Sequence, residues 1–184
     1  MNDNDKKLLL KLARDSIETF FSKGQEPDVS GVMHFDKNQG VFVTIHKNKQ
    51  LRGCIGYPEP VMPLYKAIIE AARSAAFNDH RFPMLEKEEL RSIHIEVSVL
   101  TIPKVIEVDE SGDYRRRIII GEDGLIIRSK RGSGLLLPQV ATEHDFTVDQ
   151  FLNALCQKAG LPFHAWQDIN NCQIYKFQAD VFSE

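Results

Sequence analysis

Leu-Arg-Gly-Cys-Ile-Gly, at residues 51–56, is the stretch that decides both the fold and the candidate site. It follows a β-rich run at residues 41–46 and a turn at residues 47–49, so the pattern predicts an antiparallel hairpin. Residues 57–60 carry two prolines, which end the second strand because proline cannot donate a hydrogen bond to a β-ladder.

Three long helices are predicted around this hairpin. Apolar residues at three- and four-residue steps predict a first helix at residues 9–21, with Gly24 as its C-terminal cap. An alanine-rich helix at residues 63–77 has a face of small side chains that can approach a sheet closely. A third helix, at residues 147–158, opens with a capping box.

Further strands are predicted in the second half of the chain. Residues 93–100 alternate apolar and polar side chains, which is typical of a strand with one buried face. Residues 118–120 and 125–128 are expected to form strands around an Asp-Gly turn, followed by a short strand at residues 135–137. With a C-terminal strand at residues 173–182, the order predicts an α+β fold, with mostly antiparallel sheets flanked by helices.

The composition excludes several classes of protein. The 184 residues suit a globular domain, and a net charge of −3 gives no overall attraction to nucleic acid or to an anionic membrane. No apolar run approaches the ~20 residues that span a bilayer, and the N-terminus lacks the apolar core of a signal peptide. Three sparse cysteines argue against a disulfide framework. We therefore expect a cytoplasmic protein with no membrane partner.

The candidate site centres on Cys54. Residues two apart on a strand share a face, so the Cβ atoms of Arg52 and Cys54 are expected about 7 Å apart or less. A guanidinium at that distance favours the thiolate over the thiol. Gly53 and Gly56 are expected to leave the backbone open to a ligand. The stretch thus predicts a reactive cysteine beside an anion-binding arginine, and a buried structural cysteine is the alternative.

A second candidate cluster follows the alanine-rich helix. Asp79 and Arg81 lie two residues apart in an irregular segment, where functional residues are frequent. Such a pair either clamps a polar ligand or forms a surface ion pair worth ~0–1 kcal/mol. Both interpretations stay open.

A third group of polar residues lies on one face of the predicted strand at residues 93–100. His94, Glu96 and Ser98 could line a cleft, and they superficially suggest a Ser-His-acid triad. Neighbouring positions on one strand do not give the relay geometry in which the acid orients the histidine from behind. A solvated strand face or a cleft wall is therefore favoured over a hydrolytic triad.

No pattern in the sequence indicates a cofactor or a metal site. The six histidines lack close ligand spacing, and glycine patterns for binding nucleotides are absent, although a metal site assembled from separate segments stays open. Basic stretches at residues 115–117 and 128–131 lie near two turns and could bind phosphate groups, including those of RNA. No aromatic residue is interleaved with them, which favours a solvated hairpin rim.

The hexapeptide at residues 51–56 closely resembles the signature of the AMMECR domain family. Other stretches resemble the family in the same order, and together they cover nearly the whole chain. They lie at residues 75–83, 95–101, 124–128, 134–140 and 151–162.

This resemblance implies one AMMECR-type domain over residues 1–184, built from two unequal subdomains with a cleft between them. The larger subdomain is expected from the N- and C-terminal parts, and the smaller from the middle. In prokaryotes such domains occur with, or are fused to, Memo-type and radical-SAM domains. The resemblance thus implies a shared modification pathway, with proteins of those types as partners.

The family motifs also imply a set of site residues. His80 and Met84 stand where relatives commonly have proline, so His80 is not expected to be catalytic. The candidates for substrate binding are Arg52, Gly53, Gly56, Asp79, Arg81, Glu96, Ser98 and Gln139.

Two functions are consistent with this set. In the first, the chain is an enzyme or enzyme component in which Cys54 attacks, or is covalently attached to, an unidentified small-molecule or macromolecular substrate. In the second, it is a non-catalytic adaptor. There the motif is a rigid turn, and the arginine-rich hairpins contact a partner protein or RNA.

Overall fold

The computed structural model describes residues 1–22 and 25–184, and it confirms the α+β class with antiparallel sheets. The helices among these residues are α1 (Asp3–Phe20), α2 (Leu64–Phe77), α3 (Tyr114–Arg117), α4 (Pro138–Glu143) and α5 (Val148–Lys158). The strands are β1 (Val41–Lys47), β2 (Gln50–Tyr57), β3 (Ile93–Leu100), β4 (Lys104–Val105), β5 (Gly124–Ser129), β6 (Gly132–Leu136), β7 (Cys172–Phe177) and β8 (Ala179–Ser183).

The chain divides into two compact units, one formed by residues 1–100 with 180–184 and the other by residues 101–179. The sheet order in the first unit is β2-β1-β3-β8, and in the second it is β4-β7-β5-β6. No helix in the described part of the chain combines the length and the apolar character needed to cross a membrane.

In the first unit, α2 packs against β1 and β2, and α1 packs against α2 and β3. Ala67, Ala71 and Ala75 of α2 are buried, as the run of small residues predicted. Their short side chains allow the helix backbone to approach β2 closely. The predicted C-terminal cap of the first helix, Gly24, lies outside the described residues.

The predicted hairpin of β1 and β2 is confirmed, and it contains one irregularity. Asn48 and Lys49 form a two-residue turn with φ values of 53° and 64°, a geometry that suits the twist of a hairpin. Ile45 pairs with Gly53, but His46 pairs with Leu51. Arg52 is therefore the extra residue of a β-bulge, which re-aims side chains locally.

In the second unit, α5 packs against β5 and β6. The predicted capping box at its start is confirmed, because the Thr147 amide donates to the side chain of Gln150 at 2.8 Å and the Gln150 amide donates to Thr147 Oγ1 at 3.4 Å. Phe151 and Trp166 are fully buried in the core of this unit.

The prediction of a strand at residues 118–120 is wrong. The Ile119 amide donates to the Asp123 carboxylate at 2.9 Å, and the Ile119 carbonyl accepts from the Asp123 amide at 3.0 Å, so the segment closes into a turn. The preceding arginines at residues 115–117 lie in α3 rather than in a hairpin.

The C-terminal strand expected at residues 173–182 is two strands in different sheets. The break falls at Gln178, whose amide donates to Thr101 Oγ1 and whose carbonyl accepts from the Thr101 amide, both at 2.9 Å. These bonds to a side chain and a loop take Gln178 out of the β-ladders.

Candidate functional site

Three of the candidate residues share one face of the first sheet. The register places Cys54 directly opposite Thr44, and Thr44 directly opposite Glu96. In the adjacent row, Phe42 stands opposite Ser98. Because neighbouring strands are spaced about 4.8 Å apart, the backbones at Cys54 and Glu96 are separated by about 10 Å.

The Cys54 thiol is partly exposed and has a hydrogen-bond donor. The Thr44 hydroxyl donates to the Cys54 sulfur at 3.3 Å. The other two cysteines, Cys156 and Cys172, are buried, and burial raises the pKa of both of those thiols. Cys54 is thus the most accessible of the three thiols.

Asp79 and Arg81 bind the backbone of Cys54. Asp79 Oδ2 accepts from the Cys54 amide at 2.9 Å, and Arg81 Nη2 donates to the Cys54 carbonyl at 3.1 Å. Because β2 is at the edge of its sheet, these two side chains satisfy backbone groups of Cys54 that no neighbouring strand could reach.

Asp79 and Arg81 also form an ion pair with each other. Arg81 Nε and Nη2 donate to the two oxygens of Asp79 at 2.9 and 2.7 Å, and these bonds hold the pKa of the Asp79 carboxyl well below its ordinary value. The Asp79 side chain is 4% exposed, whereas the Arg81 side chain is 57% exposed. The pair therefore combines a buried anchor with a guanidinium that solvent can reach.

Arg52 is engaged elsewhere. Its Nε and Nη2 donate to the two oxygens of Glu89 at 3.1 and 2.9 Å, and its Nη1 donates to the Pro83 carbonyl at 2.8 Å. Lys47 adds a bond to Glu89 at 2.9 Å, and this set of cations lowers the pKa of Glu89 to about 2. The geometry thus favours Arg81 over Arg52 as the cation beside the thiol.

The bulge accounts for this difference from the expectation. Alternation places residues two apart on one face only in a regular strand, and Arg52 is the bulged residue. In a regular ladder Thr44 would stand opposite Gly53, so the bulge also brings Thr44 opposite Cys54. The contact of Thr44 with Cys54 could not be predicted from the sequence, because the turn fixes which residues pair across the hairpin only when no bulge intervenes.

Gly53 and Gly56 are covered by the protein itself. A Cβ atom at Gly53 would lie 2.1 Å from the Ala75 carbonyl oxygen of α2. One at Gly56 would lie 2.5 Å from the Phe42 ring. Packing alone explains why neither position carries a side chain.

The remaining candidates are in different settings. Glu96 is half-buried, Ser98 is buried, and His94 is exposed opposite His46. Gln139 belongs to the second unit, where its carbonyl accepts a hydrogen bond from the hydroxyl of Thr142, in the same helix, at 2.9 Å.

Among the described residues, the charged groups outside this face form no metal site. Within residues 1–22 and 25–184, no three histidine, cysteine, aspartate or glutamate side chains come together as a metal site. Arg115 pairs with Asp149 at 2.7 Å, and Arg116 pairs with Asp113. Two of the three arginines at residues 115–117 are thus paired within the protein.

Known proteins are similar to this chain over almost its whole length. A protein of Methanothermobacter thermautotrophicus is 46% identical over 191 residues, covering 100% of this chain and 96% of the relative. Protein MJ0810 of Methanocaldococcus jannaschii is 45% identical over 177 residues, covering 95% of this chain and 88% of the relative.

A solved structure is also similar over the full length. It is the crystal structure of the uncharacterized protein PH0010 from Pyrococcus horikoshii, with a TM-score of 0.91 and 40% identity, covering 100% of this chain and 93% of that one. Residues 10–182 match the AMMECR1 family. The chain therefore belongs to the AMMECR1 family.

Proposed function

We propose that this AMMECR1-family chain is a thiol-dependent enzyme or enzyme component. Cys54 is the nucleophile or the point of covalent attachment, and Arg81 binds an anionic group of the substrate. The observation that carries the proposal is the juxtaposition of a partly exposed thiol with an exposed guanidinium that is held on the same residue's carbonyl.

The neighbouring side chains have complementary roles in this proposal. The Thr44 hydroxyl stabilises the Cys54 thiolate, since a hydrogen bond to a charged acceptor is stronger than one to a neutral acceptor. Asp79 orients the Arg81 guanidinium. Arg81 Nη1 makes no hydrogen bond within the described part of the chain, which leaves that nitrogen for the substrate.

Glu96 completes the proposed surface for substrate positioning, whereas Ser98, on the same strand face, is buried and is left out of it. Glu96 lies on the face that Cys54 and Thr44 occupy, and its carboxylate forms no ion pair with any described residue. Three free cysteines suit a reducing compartment. The resemblance to domains fused with Memo-type and radical-SAM proteins supports such proteins as partners in the same modification pathway.

The first experiment compares the alkylation rates of the three thiols, with mass spectrometry to locate the label. Because Cys156 and Cys172 are buried, they serve as internal controls in the folded protein. We expect Cys54 to react at least about tenfold faster with iodoacetamide than either of them. Equally slow labelling of all three cysteines would contradict the proposal and favour the adaptor interpretation.

The second experiment isolates the anion-binding role of Arg81. Iodoacetate and iodoacetamide alkylate a thiolate by the same displacement of iodide, but only iodoacetate is an anion. We expect Arg81→Gln to lower the ratio of the iodoacetate rate to the iodoacetamide rate at Cys54 by about threefold or more. The matched control, Arg52→Gln, should leave this ratio unchanged because Arg52 is bound to Glu89.

A third experiment searches for the substrate. Wild-type protein is incubated with cell extract, and Cys54 is examined for an added mass that Cys54→Ser does not acquire. An adduct confined to Cys54 would define the substrate class, whereas the same adduct on Cys156 or Cys172 would indicate non-specific modification.

A further inference from the structure

The second unit contains a cavity of about 450 Å³, and Cys54 is not among its described lining residues. One side is formed by the turn between β5 and β6, and the other by the segment around the short 3-10 helix Ala165–Gln167. The volume lies within the roughly 300–1,000 Å³ that is usual for small-molecule sites.

Two cations are among the residues that line this cavity. Lys130 and Arg131 are the two residues of the β5–β6 turn, and both are exposed. Their side chains form no ion pair or hydrogen bond within the part of the chain that the structure describes. Ser129 Oγ accepts from the amides of Arg131 and Gly132 at 3.1 and 3.2 Å, which fixes the turn that presents them.

The cavity holds less negative charge than positive charge. Asp168 is the one carboxylate among its described lining residues. One of its oxygens, Oδ2, accepts from Asn171 Nδ2 at 2.8 Å. Two cations against one carboxylate leave a net positive charge, so an anion is the complementary ligand.

An aromatic wall faces the same space. The Phe163 side chain is 56% exposed, and its ring meets the His164 ring edge-on at 6.0 Å between centroids. An exposed phenyl ring beside cations suits a ligand that carries a planar group.

The backbone at His164, next to Phe163, is strained, and a side chain of α5 holds it in this conformation. His164 has φ 64°, a left-handed conformation that costs energy for a residue with a side chain. Asn153 of α5 holds it, since Asn153 Oδ1 accepts from the His164 amide at 3.2 Å and from Trp166 Nε1 at 2.9 Å.

We propose that this cavity binds a small organic anion, a phosphate or carboxylate attached to a planar ring. Lys130 and Arg131 bind the anionic group, and Phe163 packs against the ring. This inference does not rest on the reactivity of Cys54, and binding should be intact in Cys54→Ser.

Trp166 provides a reporter, because it is the single tryptophan and follows two cavity residues directly. Its indole N–H cross-peak in a ¹⁵N–¹H spectrum is titrated with two probes, AMP for the phosphate and 1-naphthoate for the carboxylate. We expect saturable shifts of this peak and of the amides at residues 130–132 and 163–165 with at least one probe, at a dissociation constant of about 1 mM or tighter. The probe that binds more tightly identifies the anionic group.

The variants separate the two halves of the ligand. Lys130→Gln with Arg131→Gln should weaken binding about tenfold, while Lys104→Gln, which removes one positive charge outside the cavity lining, should leave binding unchanged. Phe163→Ala should weaken AMP but not ribose 5-phosphate, which lacks the ring. Adenosine binding as tightly as AMP, or no saturable shift with either probe, would overturn the proposal. So would an RNA oligomer that binds these residues while AMP does not.

Discussion

Two arginine–carboxylate pairs lie beside β2, and they differ in how much of each pair solvent can reach. In the pair of Arg52 and Glu89, the side chains are 13% and 12% exposed. In the pair of Arg81 and Asp79, the carboxylate is 4% exposed but the guanidinium is 57% exposed. Both side chains of the first pair are largely buried, so this closed pair contributes to stability. In the second, open pair, the carboxylate is buried and the guanidinium is exposed to solvent, which is the arrangement a binding group needs.

Removing the buried anchor of the open pair should have the largest effect. Asp79→Ala leaves the Cys54 amide without its acceptor and Arg81 without its partner, so we expect a loss of about 3 kcal/mol in the free energy of unfolding. Urea denaturation measures it. Asp36→Ala, at an exposed site, is the control and should change stability by less than about 0.5 kcal/mol. A comparably small loss in Asp79→Ala would mean that the pair does not hold β2.

Opening the closed pair should have the next largest effect. Arg52→Ala leaves Glu89 with Lys47 as its remaining cation, and we expect a loss of about 2 kcal/mol in unfolding free energy. As a control, Arg91→Ala should leave the unfolding free energy nearly unchanged, because Arg91 is exposed on the short helix Lys87–Arg91 that also carries Glu89. If Arg52→Ala changed the iodoacetate preference of Cys54 as much as Arg81→Gln does, the division between the two pairs would be wrong.

Acid should weaken the closed pair. The folded pKa of Glu89 is about 2 and its ordinary value is 4.5, so the unfolded chain takes up this proton first as the pH falls. Its stabilising contribution, on the order of 2 kcal/mol, is complete above about pH 4.5 and is lost as the pH falls toward 2. Unfolding free energies at several pH values between 6 and 3 should therefore decline less steeply in Glu89→Gln. Parallel curves for the two proteins would contradict this assignment.

The smallest effect on stability is expected at the open guanidinium. Arg81→Gln removes the cation beside the buried Asp79 carboxylate, but the amides of Cys54 and of residue 81 still donate to that carboxylate, so the unfolding free energy should fall by about 1.5 kcal/mol. The same variant should show the largest change in the alkylation ratio at Cys54. A stability loss as large as that of Asp79→Ala would indicate that Arg81 is structural, as Arg52 is.

Local sequence signals predicted much of this architecture. The turn at Asn48 and Lys49, the capping box of α5 and the alternation of β3 each depend on neighbours within a few residues. The pairing of Asp79 with Arg81 was one of two interpretations that the sequence left open, and the structure contains it.

The sequence could not predict the features that depend on distant residues. Nothing within residues 51–53 marks an inserted residue, because Arg52 is bound by Glu89 and the Pro83 carbonyl, more than thirty residues away. The bond from the Cys54 amide to Asp79 likewise joins residues 25 positions apart. The identity of the cation beside the thiol followed from these contacts.

The close contact at Gly53 has a consequence for how the family signature is understood. A methyl group there would collide with the carbonyl of Ala75, so the glycine sets the distance between a strand and a helix backbone. A match to this hexapeptide in another chain therefore reports first on tight strand–helix contact. Relatives could keep that glycine for architecture even after the neighbouring sulfur had been replaced and its chemistry lost.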